Sequence, residues 1–415
     1  MSKRIGSLLV VVMGMLLVPI SGVSHAARLA APDFVPGPGT YTADTTTLVL
    51  SGPSTTIFGT AVGGVAVFKF HNVLIQNGVT INAFGSRPLK LSASGSLVVE
   101  GLIDGSGTSA TDFTAGPNPG GSGGGRGGAD GTHPGGGPGG GGVGDDVHNG
   151  GGGGGFGGVG AQGGVPTSGA GGSGGVSNGN LNVAFRGGSG GGGGSDTGGG
   201  GGGGGIALFG RSVTVSGTGE VRANGGDGAC GDTGAPGGGS GGGIIVHGGT
   251  VQVNGLLSAT GGGGGTGGCC GDGGGGAGGR IAYQYVKLVA SGTALVTGGA
   301  TGTVSTGGVC STAGNSPDPT GANGKVTKVK APDTAITGVR VNSGLHRATF
   351  KFKAIGSATG FQCALKKPHK VAIFKRCSSP KTYLNLSVGL YAIKVRAFGP
   401  GGTDPTPAAK SFRIT

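Results

Sequence analysis

The sequence predicts an all-β chain in two parts: a solenoid of stacked strands interrupted by long glycine runs, then a β-sandwich. Three observations predict it. Short Val-, Leu- and Ile-rich stretches recur along the body of the chain with glycine corners between them. Glycine reaches 112 of 415 residues, in runs rather than at a fixed period. Past residue 325 the runs stop, basic charge accumulates, and evenly spaced alternating segments take over.

The recurring stretches come first. Leu97-Val-Val99-Glu-Gly101-Leu-Ile103-Asp-Gly105 is echoed by Val213-Thr-Val215-Ser-Gly217 with Val221 and Ala223 following. Val251-Gln-Val253-Asn-Gly255 with Leu257 and Ala259, and Leu288-Val-Ala290-Ser-Gly292 with Leu295, repeat it. The last three are preceded by Ile206-Ala-Leu208, Ile244-Ile-Val246 and Ile281-Ala-Tyr283, so the unit recurs about every 38 residues. Alternation with period two puts one side chain in and the next out. One such coil cannot bury its own apolar face, so coils must stack, about 4.8 Å apart. The expected product is a right-handed parallel β-helix or a close relative. Ile75, Val79, Ile81 and Ala83 mark an earlier coil, with Asn77 the exception, and Phe34 to Val65 is expected to cap the N-terminal end.

The longest glycine run, 116–205, has few apolar residues beyond Phe156, Val159 and the patch from Leu181 to Phe185. Two readings stay open at this point. It is either a disordered insertion looping out of the solenoid or a bundle of extended polyglycine strands, which lack side chains and can approach closely. Collagen is excluded by the lack of a three-residue glycine period. A phosphate cradle is not supported, since no Gly-x-x-x-x-Gly-Lys-Ser/Thr pattern occurs. The body resembles a group of bacterial secreted glycine-rich proteins with this coil-plus-glycine layout, a resemblance of pattern that covers about residues 65–305 and implies no defined reaction.

Charge divides the chain. Lys325 to Thr415 holds 17 Lys and Arg against Asp333 and Asp404, a balance of +15, whereas the preceding 324 residues carry 12 basic and 14 acidic groups. The expected boundaries are therefore 1–26, 27–325 and 326–415. In the last segment Ala348-Thr-Phe350-Lys-Phe352, Phe361-Gln-Cys363-Ala-Leu365, Tyr391-Ala-Ile393-Lys-Val395-Arg-Ala397 and Ser411-Phe412-Arg-Ile414 read as strands of a β-sandwich. Pro332-Asp333-Thr334, Phe361-x-Cys363, Cys377-Ser-Ser379-Pro380-Lys-x-Tyr383, Leu386-x-x-Gly389-x-Tyr391 and Thr403-Asp404-Pro405-Thr406-Pro407 then carry a resemblance to the bacterial Ig-like domains of multidomain secreted proteins, over nearly the whole module. The hairpin between the cysteines departs from that pattern by being basic, and Phe398 to Gly402 replaces the usual Asp and Asn of a later turn. Tyr391 is expected to be a tyrosine-corner residue bonding back to the backbone near Leu386.

The N-terminus reads as an export signal. Lys3 and Arg4 precede an apolar run, Ile5 to Ile20, and Ser24-His25-Ala26 offers a cleavage site after Ala26. The run is too short to span a bilayer, and no transmembrane segment is expected after cleavage. Export makes the six cysteines disulfide candidates. Cys363 should pair with Cys377 across the hairpin. Cys230, Cys270 and Cys310 are spaced at 40 residues, close to the coil repeat, so Cys230–Cys269 and Cys270–Cys310 are the suggested staples.

The expected function is that of a non-enzymatic secreted or cell-surface structural and adhesive protein. Its basic module would contact an anionic wall polymer or polysaccharide. Lys366, Lys367, Lys370, Lys375 and Arg376 of the hairpin are the candidate contacts, weighed against a merely solvated loop. No specific nucleic acid, cofactor or metal is indicated. Asp227, Asp232 and Asp272 lie in glycine loops without the tandem nine-residue period of calcium-binding repeats. The alternative is a polysaccharide lyase or hydrolase on a β-helix, which needs paired carboxylates. Glu100, Asp104 and Glu220 are the acids within the coil segments, and no catalytic constellation emerges from them.

Overall fold

The computed structural model describes residues 31–166, 168–181, 184–302, 320–367, 371–399 and 401–415. The export signal and Cys310 lie outside the described residues. Every regular element within them is a β-strand, in several sheets, and no helix occurs among them.

The chain opens with short antiparallel pieces: β1 (Gly39–Asp44), β2 (Val49–Gly52), β3 (Thr55–Phe58) and β4 (Thr60–Val62). It then repeats one short circuit. β5 (Val65–Phe70), β6 (Val73–Ile75) and β7 (Val79–Phe84) are followed by β8 (Leu89–Ala93), β9 (Ser96–Val99) and β10 (Leu102–Asp104). Next come β11 (Gly205–Phe209), β12 (Ser212–Val215) and β13 (Glu220–Arg222), then β14 (Gly243–Val253) with β15 (Leu256–Ser258), and β16 (Arg280–Ala290) with β17 (Thr293–Leu295). Each strand pairs in parallel with its counterpart one circuit later. Ile206, Ile244 and Ile281 stand in one cross-strand row; Leu97, Val213, Val251 and Leu288 form another; Ile103, Val221, Leu257 and Ala294 form a third. The rows are the positions that recur in the sequence, because in stacked parallel strands the repeat itself sets the register. Their inward members, among them Ile75, Val79, Ile81, Leu97, Ile103, Val213 and Ile244, form one continuous buried core. The N-terminal pieces close its first end, with β1 parallel to β7 and β2 and β3 antiparallel beyond it.

Ile206-Ala-Leu208 of β11, Ile244-Ile-Val246 of β14 and Ile281-Ala-Tyr283 of β16 are apolar without alternation because both faces of their sheet are covered there. Ala207, Ile245 and Ala282 point outward and are buried against Phe156 and Leu181 of the glycine-rich run. The described residues of that run are packed together, the arrangement of the bundle reading. Gly150 and Gly153 donate to Gly164 and Ala161; Gly151 and Gly154 donate to Ala235 and Gly238; Gly152 and Gly155 donate to Gly142 and Gly139, all at 2.7–3.0 Å. Successive N–H groups thus face three different neighbours and return after three residues. This is the pattern of an extended strand that repeats every three residues and makes no internal hydrogen bonds. Each such strand satisfies its backbone from the strands around it. Only glycine permits the spacing, as at Gly127, where an added Cβ would lie 1.8 Å from the Gly199 carbonyl oxygen.

β18 (Lys325–Lys330) pairs in parallel with β16, Val326 opposite Ile281. The sheet of the first part therefore runs to Lys330, past the charge boundary near 325, and the second part begins at Asp333. A charge count marks where basic residues start; strand pairing here continues beneath them.

The second part comprises β19 (Asp333–Asn342), β20 (Arg347–Ile355), β21 (Gly360–Lys366), β22 (Lys375–Cys377), β23 (Lys381–Tyr383), β24 (Gly389–Gly399), β25 (Gly402–Thr403) and β26 (Ala408–Ile414). β19, β20 and β23 form one antiparallel sheet; β22, β21, β24, β25 and β26 form another. Phe350, Phe352, Cys363, Tyr391, Ile393, Val395 and Phe412 share a buried cluster between them. The Tyr391 hydroxyl donates to the Ser387 carbonyl at 2.9 Å.

Cys363 and Cys377 are joined by a disulfide on neighbouring strands. Cys269 bonds to the adjacent Cys270, which overturns the suggested Cys230–Cys269 and Cys270–Cys310 staples. An isolated bridge from Gly231 to Gly267 does bring the Cys230 loop beside the Cys269–Cys270 loop. Yet residues 269 and 270 sit in the same tight bend, where each sulfur meets the other first. Cys230 is likewise not a free thiol. Disulfides suggest a non-cytoplasmic location. No helix among the described residues is long and apolar enough to cross a membrane.

Candidate functional site

Alternation in the second part separates an apolar inner face from a basic outer one. On β20, Ala348, Phe350 and Phe352 point into the core while Arg347, Thr349, Lys351 and Lys353 point out. Cross-strand pairing adds Asn342 opposite Arg347, Arg340 opposite Thr349, and Gly338 opposite Lys351; Thr382 of β23 flanks Thr349 on the other side. The Thr349 and Thr382 hydroxyls are 3.0 Å apart. A register shift between Ile336 and Gly338 bends β19, and the missing side chain at Gly338 leaves space beside Lys351. The result is an open groove of about 580 Å³ lined by Arg340, Arg347, Lys351 and the two threonines.

This face has no acid of its own. Only Asp333 and Asp404 occur beyond residue 325. Asp404 is buried, its carboxylate taking hydrogen bonds from Thr334 Oγ1 at 2.7 Å and from the Thr406 backbone at 2.8 Å. Burial pushes its carboxyl above the usual range, and those hydrogen bonds oppose the shift. Asp333 lies at the far end of the sheet, opposite Ile355. A solvated row of like charges with no internal counterion attracts external anions and repels cations.

The hairpin residues are less convergent than their sequence proximity suggests. Lys366 and Arg376 sit on the outer face of the second sheet, Arg376 over the Phe398 ring at 5.2 Å. Lys375 lies opposite the inward-facing Cys363 and so takes the other direction. Lys367 Nζ donates to Ser387 Oγ at 2.9 Å and stands over the Tyr391 ring. Lys370 and His369 lie outside the described residues. Arg396 is a member that sequence reasoning missed. It stands 3.9 Å over Phe374 and its Nε donates to Gln362 Oε1 at 2.8 Å, with burial lowering its pKa. The β20 face was missed as well, although its signal was present in the polar members of the alternation.

The acids of the first part fall on another surface. Glu100 and Glu220 line one shallow depression of about 280 Å³, where Glu220 forms an ion pair with Arg222. Asp104 instead accepts from the Ser106 backbone at 2.9 Å. Asp227 and Asp272 accept from glycine N–H groups at 2.7 and 3.1 Å, pinning loops of the bundle. No group of three or more His, Cys, Asp or Glu able to hold a metal ion occurs among the described residues.

No family matches this chain, and no curated protein matches it. Among solved structures the chitinase ChiW of Paenibacillus sp. strain FPU-7, a bacterial cell-surface-expressed multi-modular enzyme, is similar over 84% of this chain at 9% identity, with a TM-score of 0.18. The chain spans 24% of that protein's length. At that score the likeness carries no argument.

Proposed function

We propose that this chain is an exported, non-enzymatic structural and adhesive protein. In this reading the body is a parallel β-helix-like solenoid stiffened by its glycine bundle. The C-terminal part is an Ig-like sandwich that holds anionic extracellular polymer. The common register of the stacked strands supports the first element. The two facing antiparallel sheets and the Tyr391 bond to Ser387 support the second. The observation that carries the function is the acid-free face of Arg340, Arg347, Lys351 and Lys353. A polymer laid along the groove meets a cation at each outward step of β20, about 7 Å apart, from Arg347, Lys351 and Lys353 on β20 itself and from Arg340 of β19 beside Thr349.

The test is retention of the full chain on immobilised alginate against a neutral dextran matrix. Retention should be strong at low ionic strength and lost as the Debye length shrinks below the charge spacing. Changing Arg340, Arg347, Lys351 and Lys353 together to Ser should abolish it, while Lys366→Ser with Arg376→Ser should leave most of it. Equal retention of both variants and the parent would overturn the assignment to this face; no retention of the parent at low salt would overturn the function.

A second reading rests on Glu100 and Glu220 sharing one depression, the arrangement a polysaccharide-cleaving enzyme needs. The ion pair with Arg222 occupies Glu220 and weighs against it. Polysaccharide cleavage that disappears in Glu100→Gln and in Glu220→Gln would favour this reading over adhesion.

A further inference from the structure

A second feature lies away from the basic face. On the outer side of the sheet that carries β8, β11, β14 and β16, a pocket of about 360 Å³ opens beneath the β4–β5 hairpin. Three parts of the chain enclose it. Val62, Val65 and Val67 come from the hairpin, Leu181 and Phe185 from the glycine-rich run, and Gly399 with Gly402 from the second part. Lys90 reaches into it from β8, because Lys90 is an outward position between the inward Leu89 and Leu91.

The Lys90 ammonium stands 3.3 Å from the centroid of the Phe209 ring, and His247 stacks on that ring at 4.5 Å. His247 Nδ1 is 3.2 Å from Gln284 Oε1. No carboxylate lines the pocket among the described residues, and the charge that acts on Lys90 is another cation, Lys69. Burial, then Lys69, lowers the Lys90 pKa to about 8, so at neutral pH it is still mostly charged. A desolvated cation with only a ring face beside it is a costly arrangement. An apolar side chain at this position would fill the same wall without that cost.

We propose that this pocket binds a small organic monocarboxylate, its apolar body between Leu181, Phe185 and Phe209 and its carboxylate against the Lys90 ammonium. The ligand then supplies the counterion that the described lining lacks, in a setting where a charge-assisted hydrogen bond is stronger than in water. The volume sits at the small end of the range for small-molecule sites, which suits one or two rings rather than a long acyl chain. The basic face of β19 and β20 is open and solvated and has no such apolar walls, so the two sites select different anions.

The probe is 2-naphthoate, compared with the uncharged 2-naphthamide, by calorimetry on the full chain. One naphthoate should bind per chain. Lys90→Met should weaken it at least tenfold and leave the amide unchanged. The Ser variant of the basic face should bind naphthoate as the parent does. As a check independent of any variant, acetic anhydride labelling of the native chain, read by peptide mass spectrometry, should show naphthoate protecting Lys90 and not Lys69. Absence of saturable binding, binding indifferent to Lys90→Met, loss in the basic-face variant instead, or no protection of Lys90 would each overturn the proposal.

Discussion

Replacing Gly239 by alanine tests whether the glycine-rich run is packed as described. Gly239 is buried in the bundle, and its N–H donates to Gly226 at 2.8 Å. A Cβ there would lie 2.1 Å from the Gly201 carbonyl oxygen and 2.5 Å from its carbon. Backbone cannot rotate away as a side chain can, so the two strands must separate by about 1 Å to reach ordinary contact. The separation stretches bonds on either side. Gly201 donates to Thr108 at 2.9 Å and Ser240 donates to Ser189 at 2.8 Å, and both sit on the strands that move. Two or three hydrogen bonds weakened, at about 1 kcal/mol each, plus overpacking of about 1–3 kcal/mol, give a cost of roughly 3–6 kcal/mol. Reduced backbone freedom in the unfolded chain offsets about 0.4–1 kcal/mol of that. Gly217 is the control, with nothing within 4 Å of a Cβ and no left-handed φ, so Gly217→Ala should be neutral or stabilising by up to about 1 kcal/mol. Urea unfolding followed by circular dichroism, with hydrogen exchange at the bundle glycines, measures both. Equal midpoints and equal protection in the two variants would refute the packing argument.

Three further outcomes follow from single interactions. His247 is held at about 4 by burial and then by Lys90, below its unfolded value of about 6.5. The unfolded chain therefore binds more protons between these values, and stability should fall as pH drops from 6.5 to 4, by at most about 1.4 kcal/mol per pH unit; His247→Gln should flatten that slope in pH-dependent urea melts. Thr334 Oγ1 donates to Asp404 Oδ2 and accepts from the Ala397 N–H at 2.8 Å, so Thr334→Val removes both bonds, while Asp404 Oδ1 keeps its bonds from Thr406. A loss of about 2–4 kcal/mol is expected in urea unfolding, with no change in groove charge. Removing the Cys363–Cys377 disulfide as a double Ser variant reopens a span of 14 residues, which corresponds to about 3 kcal/mol; calorimetry on the parent and variant reads it.

The strand positions of the first part were legible because a stacked parallel sheet writes its register into the sequence. Leu97, Val213, Val251 and Leu288 recur at equivalent places and the structure sets them side by side. Ile244-Ile-Val246 also carried a legible sign that both its faces are covered, being apolar without alternation. What covers the outer face was not legible, since Phe156 and Leu181 reach it from a run of glycines with no pattern of their own. The inner alternation of β20 was plain, but that Arg340 and Thr382 join its outer members depends on antiparallel pairing between segments distant in sequence. The cysteine spacing suggested bonds between successive turns, whereas Cys269 bonds to the adjacent Cys270, the nearest sulfur in space.

The sequence by itself determined an all-β chain, the places where its strands recur, and the concentration of positive charge after residue 325. Those are properties of side chains counted along a line. Tertiary structure alone decided that the glycine run packs as a bundle, which hydrogen-bonded neighbours its described glycines meet, and that Lys90 enters a pocket walled by three parts of the chain. The physical reason is that glycine contributes no side chain from which packing can be read. Successive glycines send their N–H groups to three separate strands, and only the folded chain brings those strands together.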